Sequence, residues 1–114
     1  MQPVEARPIT PEELAVLRQA LLRGASAPVP ESAVEALQNL AVIGICPCGC
    51  KSVYFAPESG DDRIIADTWG KTAEGEFIGV MVWSRGGSIT SLDLVDHLST
   101  GKLPLPESIG ERVG

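Results

Sequence analysis

Glu76-Phe77-Ile78-Gly79-Val80-Met81-Val82-Trp83-Ser84, Arg85-Gly86-Gly87, Ser88-Ile89-Thr90-Ser91-Leu92-Asp93-Leu94-Val95-Asp96 reads as a β-hairpin. Two runs rich in β-branched and aromatic residues flank a turn with paired glycines, the composition that a reversing strand pair needs. Side chains alternate across a strand, so each run divides into two sets. Ile78, Val80, Val82, Leu92 and Leu94 form one set, wholly aliphatic. Phe77, Gly79, Met81, Trp83, Ser91, Asp93 and Val95 form the other, which is mixed.

Upstream, the run 63–69 continues both sets. Ile64 and Ala66 extend the aliphatic one, while Ile65, Asp67 and Trp69 extend the mixed one. Two shorter strands are expected over 41–46 and 51–56, around the turn Pro47-Cys48-Gly49-Cys50. Five strands with short connections imply antiparallel neighbours, and a sequential meander is the simplest topology.

Between residues 10 and 40 the chain reads as two helices joined by a linker. Thr10 caps, Pro11 occupies the first helical position and Glu13 completes a capping box. Leu14, Leu17 and Leu21 recur at helical spacing, and Gly24 closes the helix. A second helix is expected from 31 or 32 to 40, with Ser32 and Glu35 at capping-box spacing. The stretches 1–9 and 101–114 read as extended tails. The expectation is one α+β domain over 1–114, with two N-terminal helices packed on one face of a roughly five-stranded antiparallel sheet.

Two short helices cover one sheet face, and the aliphatic set belongs beneath them. Asp67, Trp69, Phe77, Met81, Trp83, Ser91 and Asp93 are then left as a mixed apolar and acidic surface. An exposed patch of this kind marks an interaction surface or ligand groove, and implies a protein partner or self-association. The competing expectation is that the C-terminal segment, with Leu103, Leu105 and Ile109, folds back over this face.

All three cysteines fall within five residues, Cys46-Pro47-Cys48-Gly49-Cys50. Thiols so close together suit metal binding, with zinc the expected ion, although zinc sites more often use paired Cys-x-x-Cys knuckles. His97 is the single histidine and a candidate fourth ligand. In a flat sequential sheet it would lie roughly 19 Å from the cysteine turn, so it serves only if the sheet curls or the strand order is not sequential. Redox chemistry is another reading, with Lys51 favouring a thiolate, but no helix follows the motif as in redox Cys-x-x-Cys sites. A tight hairpin filled by small side chains is the plain alternative.

The net charge is −6, from 15 acidic and 9 basic residues. No basic cluster exists to meet a phosphate backbone or an anionic bilayer, so nucleic-acid and membrane partners are not expected, whereas a basic protein would be attracted. No apolar run approaches a membrane span and no apolar signal core opens the chain, which points to the cytoplasm and reduced thiols. No nucleophile elbow or acid–base pair stands out, and an enzyme is not the leading expectation.

The opening Thr10-Pro11-Glu12-Glu13-Leu14 helix, the run Ile45-Cys46-Pro47-Cys48-Gly49-Cys50-Lys51-Ser52-Val53, the strand Ser88–Leu94 and the Leu-Pro segment 103–106 resemble a family of small uncharacterised bacterial proteins with a Cys-Gly-Cys-Gly-Cys turn. The resemblance spans most of the chain, and Pro47 stands where that turn has glycine. It implies a bacterial, intracellular setting and no particular activity. The leading expectation is a non-enzymatic binding protein acting through the mixed face. The alternatives are a zinc-binding protein using Cys46, Cys48 and Cys50, a protein like a toxin-neutralising immunity protein, or a thiol-dependent enzyme.

Overall fold

The computed structural model describes residues 1–110. Strand β1 (Gln2–Pro8) leads into helix α1 (Pro11–Gly24) and helix α2 (Glu31–Ala36), which a 3-10 turn (Leu37–Asn39) prolongs. Strands β2 (Ala41–Ile45), β3 (Val53–Tyr54), β4 (Arg63–Lys71), β5 (Phe77–Arg85) and β6 (Ser88–Val95) follow, before a 3-10 turn at Pro106–Ser108. The α+β class holds. The sheet is antiparallel throughout, with six strands.

The sixth strand is β1, from a segment expected as a tail. Pro3 and Pro8 hid it, since proline argues against a central strand; β1 lies at the sheet edge, where proline is tolerated. At the other end of the chain, residues 111–114 of the expected tail lie outside the described residues.

The strand order is β1-β2-β3-β6-β5-β4, so the sequential meander is not what forms. Strand β3 pairs with β6 instead of β4. The physical reason is length. Strands β4, β5 and β6 have nine, nine and eight residues and zip together through tight turns, whereas β3 has two and takes the remaining side of β6.

The capping box of α1 forms as expected. Glu13 N–H donates to Thr10 Oγ1 at 3.1 Å, and Thr10 N–H donates to Glu13 Oε1 at 2.9 Å. Arg7 then reaches from β1 and grips both Glu13 carboxylate oxygens at 2.9 Å, tying the first strand to the first helix. The box expected at Ser32 and Glu35 does not form: α2 begins at Glu31 with an extended Pro30 at its N-cap, so Ser32 already lies inside the helix and no side chain caps it.

Helix α1 buries Val16, Leu17, Ala20 and Leu21 against the aliphatic set, in which Ile78, Val80, Val82 and Leu92 are fully buried. Ile64 departs from expectation. A register shift between Ile64 and Ala66 sets Ile64 opposite Trp83, and it is 43 % exposed, while Ala66 faces Val82 in the core. One extra residue in a strand reverses the alternation beyond it.

Among the described residues, 105–110 run along the free edge of β4 at its Trp69–Lys71 end, leaving Trp69 and Phe77 of the mixed face exposed. Leu105 N–H donates to Lys71 O at 2.7 Å, Gly110 N–H to Trp69 O at 2.9 Å, and Lys71 N–H to Ser108 Oγ at 2.8 Å. Gly70 permits this: a Cβ there would stand 2.7 Å from Pro104. Ile109 is fully buried in the main core, and Arg23 donates to its carbonyl at 3.2 Å. Pairing an exposed strand edge in this way removes a template for aggregation.

Candidate functional site

The cysteine turn begins at the end of β2. Residues 46, 48 and 50 are two apart, and Gly49 adopts a φ of 94°, so the chain reverses while the thiols stay together. Cys46 Sγ and Cys48 Sγ are 2.6 Å apart, and Cys48 Sγ and Cys50 Sγ 3.0 Å. All three sulfurs lie within 4.8 Å of one another. Thiolates around a tetrahedral zinc with 2.3 Å bonds sit about 3.8 Å apart, so a slight opening of the turn seats an ion.

The turn is anchored through Ser52. Its Oγ accepts from Leu94 N–H at 2.8 Å and from the Cys50 thiol at 3.2 Å, and lies 3.2 Å from Asp93 Oδ1, to which it donates. The hydroxyl thus replaces a missing ladder acceptor, which explains why β3 starts at Val53 and not at 51. Phe55 and Ala56 N–H both turn to Thr90 O, at 2.8 and 3.3 Å, and end the strand.

Contact among the sulfurs splits their acidities. Sharing its proton with Cys48 pushes the Cys46 thiol up to about 11. Cys48 is lowered, because the neighbouring thiols of Cys46 and then Cys50 donate to its thiolate. Cys48 is also exposed, so it is the thiol most open to an ion or an electrophile.

The observed strand order puts β6 beside β3, removing most of the distance that separated His97 from the turn in a sequential sheet. The loop after β6 does approach: a Cβ on Gly101 would be 3.6 Å from Gly49 O. Asp96 holds this loop, accepting from Thr100 N–H and Gly101 N–H at 2.9 Å each. His97 is nevertheless exposed and stands outside the thiol cluster, which among the described residues consists of the three cysteines alone.

The mixed face assembles as a register. Trp69 lies opposite Gly79, and Gly79 opposite Val95; Asp67, Met81 and Asp93 form the next row; Trp83, Ser91 and Tyr54 form the one after. Phe77 stands at the far end, opposite Lys71. Trp69 is 50 % and Phe77 40 % exposed, and their rings meet edge to face at 6.4 Å. Asp67 is exposed, Met81, Trp83 and Asp93 are half-buried, and Ser91 is buried.

Sequence reasoning missed Tyr54. Its neighbours come from β6, and only the β3–β6 pairing reveals them. With Trp83, Ser91, Asp93, Glu58 and Asp62 it lines a groove of about 220 Å³. Burial, then the charges of Glu58, Asp93 and Cys46, push the Tyr54 hydroxyl up to about 12. A second, apolar cavity of about 450 Å³, also unforeseen, lies under the linker between α1 and α2, lined by Leu21, Val29, Leu37, Leu40, Ile65 and Ile89 among others.

Among the described residues no helix is long and apolar enough to cross a membrane. No family model, curated protein or solved structure matches the chain, and what stands of the family resemblance is the Cys46-x-Cys48-x-Cys50 cluster itself.

Proposed function

We propose that this protein binds a thiophilic metal ion, zinc in the first instance, through Cys46, Cys48 and Cys50. The observation that carries the reading is the convergence of three sulfurs within 4.8 Å on one short turn. Soft thiolates select zinc or copper(I) over hard cations. Three protein ligands leave one position of a tetrahedral ion for water or an incoming group. Ser52 steadies Cys50 and links it to Asp93, the kind of support that orients a ligand. Such a site needs reduced thiols, which fits a cytoplasmic setting.

The test is elemental analysis of protein purified without chelator, followed by cobalt(II) substitution. Near-stoichiometric metal and a thiolate-to-cobalt absorption band, both lost in Cys48→Ser, are expected. Metal-free protein that gives no such band even with added cobalt would overturn the reading. One fast-reacting thiol in that metal-free protein would move the function to thiol exchange.

A second reading is favoured by a separate observation. Among the described residues Trp69 and Phe77 remain 50 % and 40 % exposed, and 105–110 pair with the end of β4. This supports a protein partner, or a second copy, meeting the mixed face, with neutralisation of a basic toxin as one form of it. Sedimentation equilibrium at increasing concentration tests the second copy.

A further inference from the structure

We infer that the slot between Tyr54 and Trp83 receives an arginine side chain from a basic partner. Tyr54, Ser91 and Trp83 are directly opposite one another on β3, β6 and β5. A small buried residue thus forms a floor between two aromatic walls. Two strand spacings put those walls about 9.6 Å apart at the backbone, so a planar group standing over Ser91 lies about 4.8 Å from each. A guanidinium is attracted to a ring face within about 6 Å of its centre, and its flat shape fits between two rings where a tetrahedral ammonium does not. The groove's 220 Å³ suits one side-chain head and is too small for a larger organic ligand.

Charge completes the site. Asp93 is two residues from Ser91 and so on the same face, and it has no ion pair among the described residues; its Oδ1 meets only the Ser52 hydroxyl. Glu58 and Asp62 line the groove from the loop after β3. The rim already shows its preference. Arg85 places Nε 3.0 Å from Asp62 Oδ1 and donates from Nη2 to Pro57 O at 2.7 Å. Glu58 lies 3.6 Å from the Met1 ammonium. Thr90 lines the same groove, and its Oγ1 is a buried hydroxyl without a hydrogen-bond partner among the described residues. The Tyr54 hydroxyl is pushed up first by its burial and then by the charges of Glu58 and Asp93. With a net charge of −6 behind it, the slot draws in a basic segment and rejects an acidic one.

The inference rests on the partner-binding reading of the mixed face and does not require the metal, although Asp93 also meets the Ser52 hydroxyl beside Cys50. The test is an NMR titration at low salt with a peptide alternating arginine and glycine, beside matched peptides carrying lysine or neutral citrulline. Saturable shifts are expected at the Trp83 indole N–H and the Tyr54 and Ser91 amides. They should weaken about tenfold in Asp93→Asn, weaken with lysine and vanish with citrulline. Citrulline needs no variant, so a misfolded Asp93→Asn protein would not rescue the idea. Equal response to citrulline, or shifts spread over the acidic surface and unchanged in Asp93→Asn, would overturn it. Shifts centred on Trp69 and Phe77 would remove the slot and keep the face as a partner site. No response anywhere would remove the slot, while the sedimentation experiment decides the face separately.

Discussion

Strands β4, β5 and β6 form a long regular block, whereas β3 contributes two residues between an irregular turn and a bulge. In the block, backbone ladders and alternating side chains do the structural work, and one face is fully buried aliphatic surface. Around β3 the ladder is incomplete, and a serine hydroxyl stands in for a backbone acceptor. The chemistry lies beside the irregular region: three thiols on one side of β3, and an acidic aromatic groove on the other. Regular pairing commits every polar backbone group. Where pairing stops, side chains are free to converge.

The contrast breaks most readily in the core. Leu92 is fully buried in β6, and Leu92→Ala should cost about 2–5 kcal/mol in urea denaturation. A loss below about 1 kcal/mol would mean that the long block is not the stabilising half. Cys48→Ser should do the reverse. Metal affinity, read by competition with a chromogenic chelator, should fall about 100-fold or more, while metal-free stability stays within about 0.5 kcal/mol because Cys48 is exposed. Affinity in the native protein should also rise with pH, since a thiol pushed up to about 11 must lose its proton to bind.

Ser52→Ala probes the seam between the two regions. It strands the buried Leu94 N–H and should cost about 1–3 kcal/mol by the same denaturation assay, a polar effect of size that a volume change alone does not give. A smaller effect is expected of pH at Glu13. Burial raises this carboxyl, but bonds from Arg7 and the Thr10 N–H outweigh it and leave it lowered. Its contribution is therefore present above the unfolded carboxylate range and lost as pH falls through the lowered value. Arg7→Met should remove about 1 kcal/mol at neutral pH and less at pH 3, checked by denaturation at both. Smallest of all is Trp69→Ser, expected to change stability by under about 1 kcal/mol because the ring is half exposed. A partner seen to bind the native protein but not this variant would sharpen the face's role.

The α1 capping box, the β5–β6 hairpin, the two faces of the block and the thiol turn were all legible in the sequence. Each depends on residues close in the chain: Thr10 with Glu13, Ile78 with Val80, Cys46 with Cys48 and Cys50. Periods of two and 3.6 and the chemistry of caps and turns are local properties, and local properties are written in order along a chain. The reversal at Ile64 escaped because a bulge follows from how β4 meets β5, and β1 escaped because its prolines are admissible only at an edge.

What tertiary structure alone decided is adjacency. Alternation says which face a side chain takes but not which strand lies beside it, since a short connection permits several orders. The pairing of β3 with β6 joined Tyr54 to Ser91 and Trp83 and brought Ser52 to Asp93. Residues 105–110 likewise took one end of the β4 edge because Gly70 leaves room for Pro104 there. Such meetings arise from packing between segments some forty residues apart, and no spacing within either segment records them.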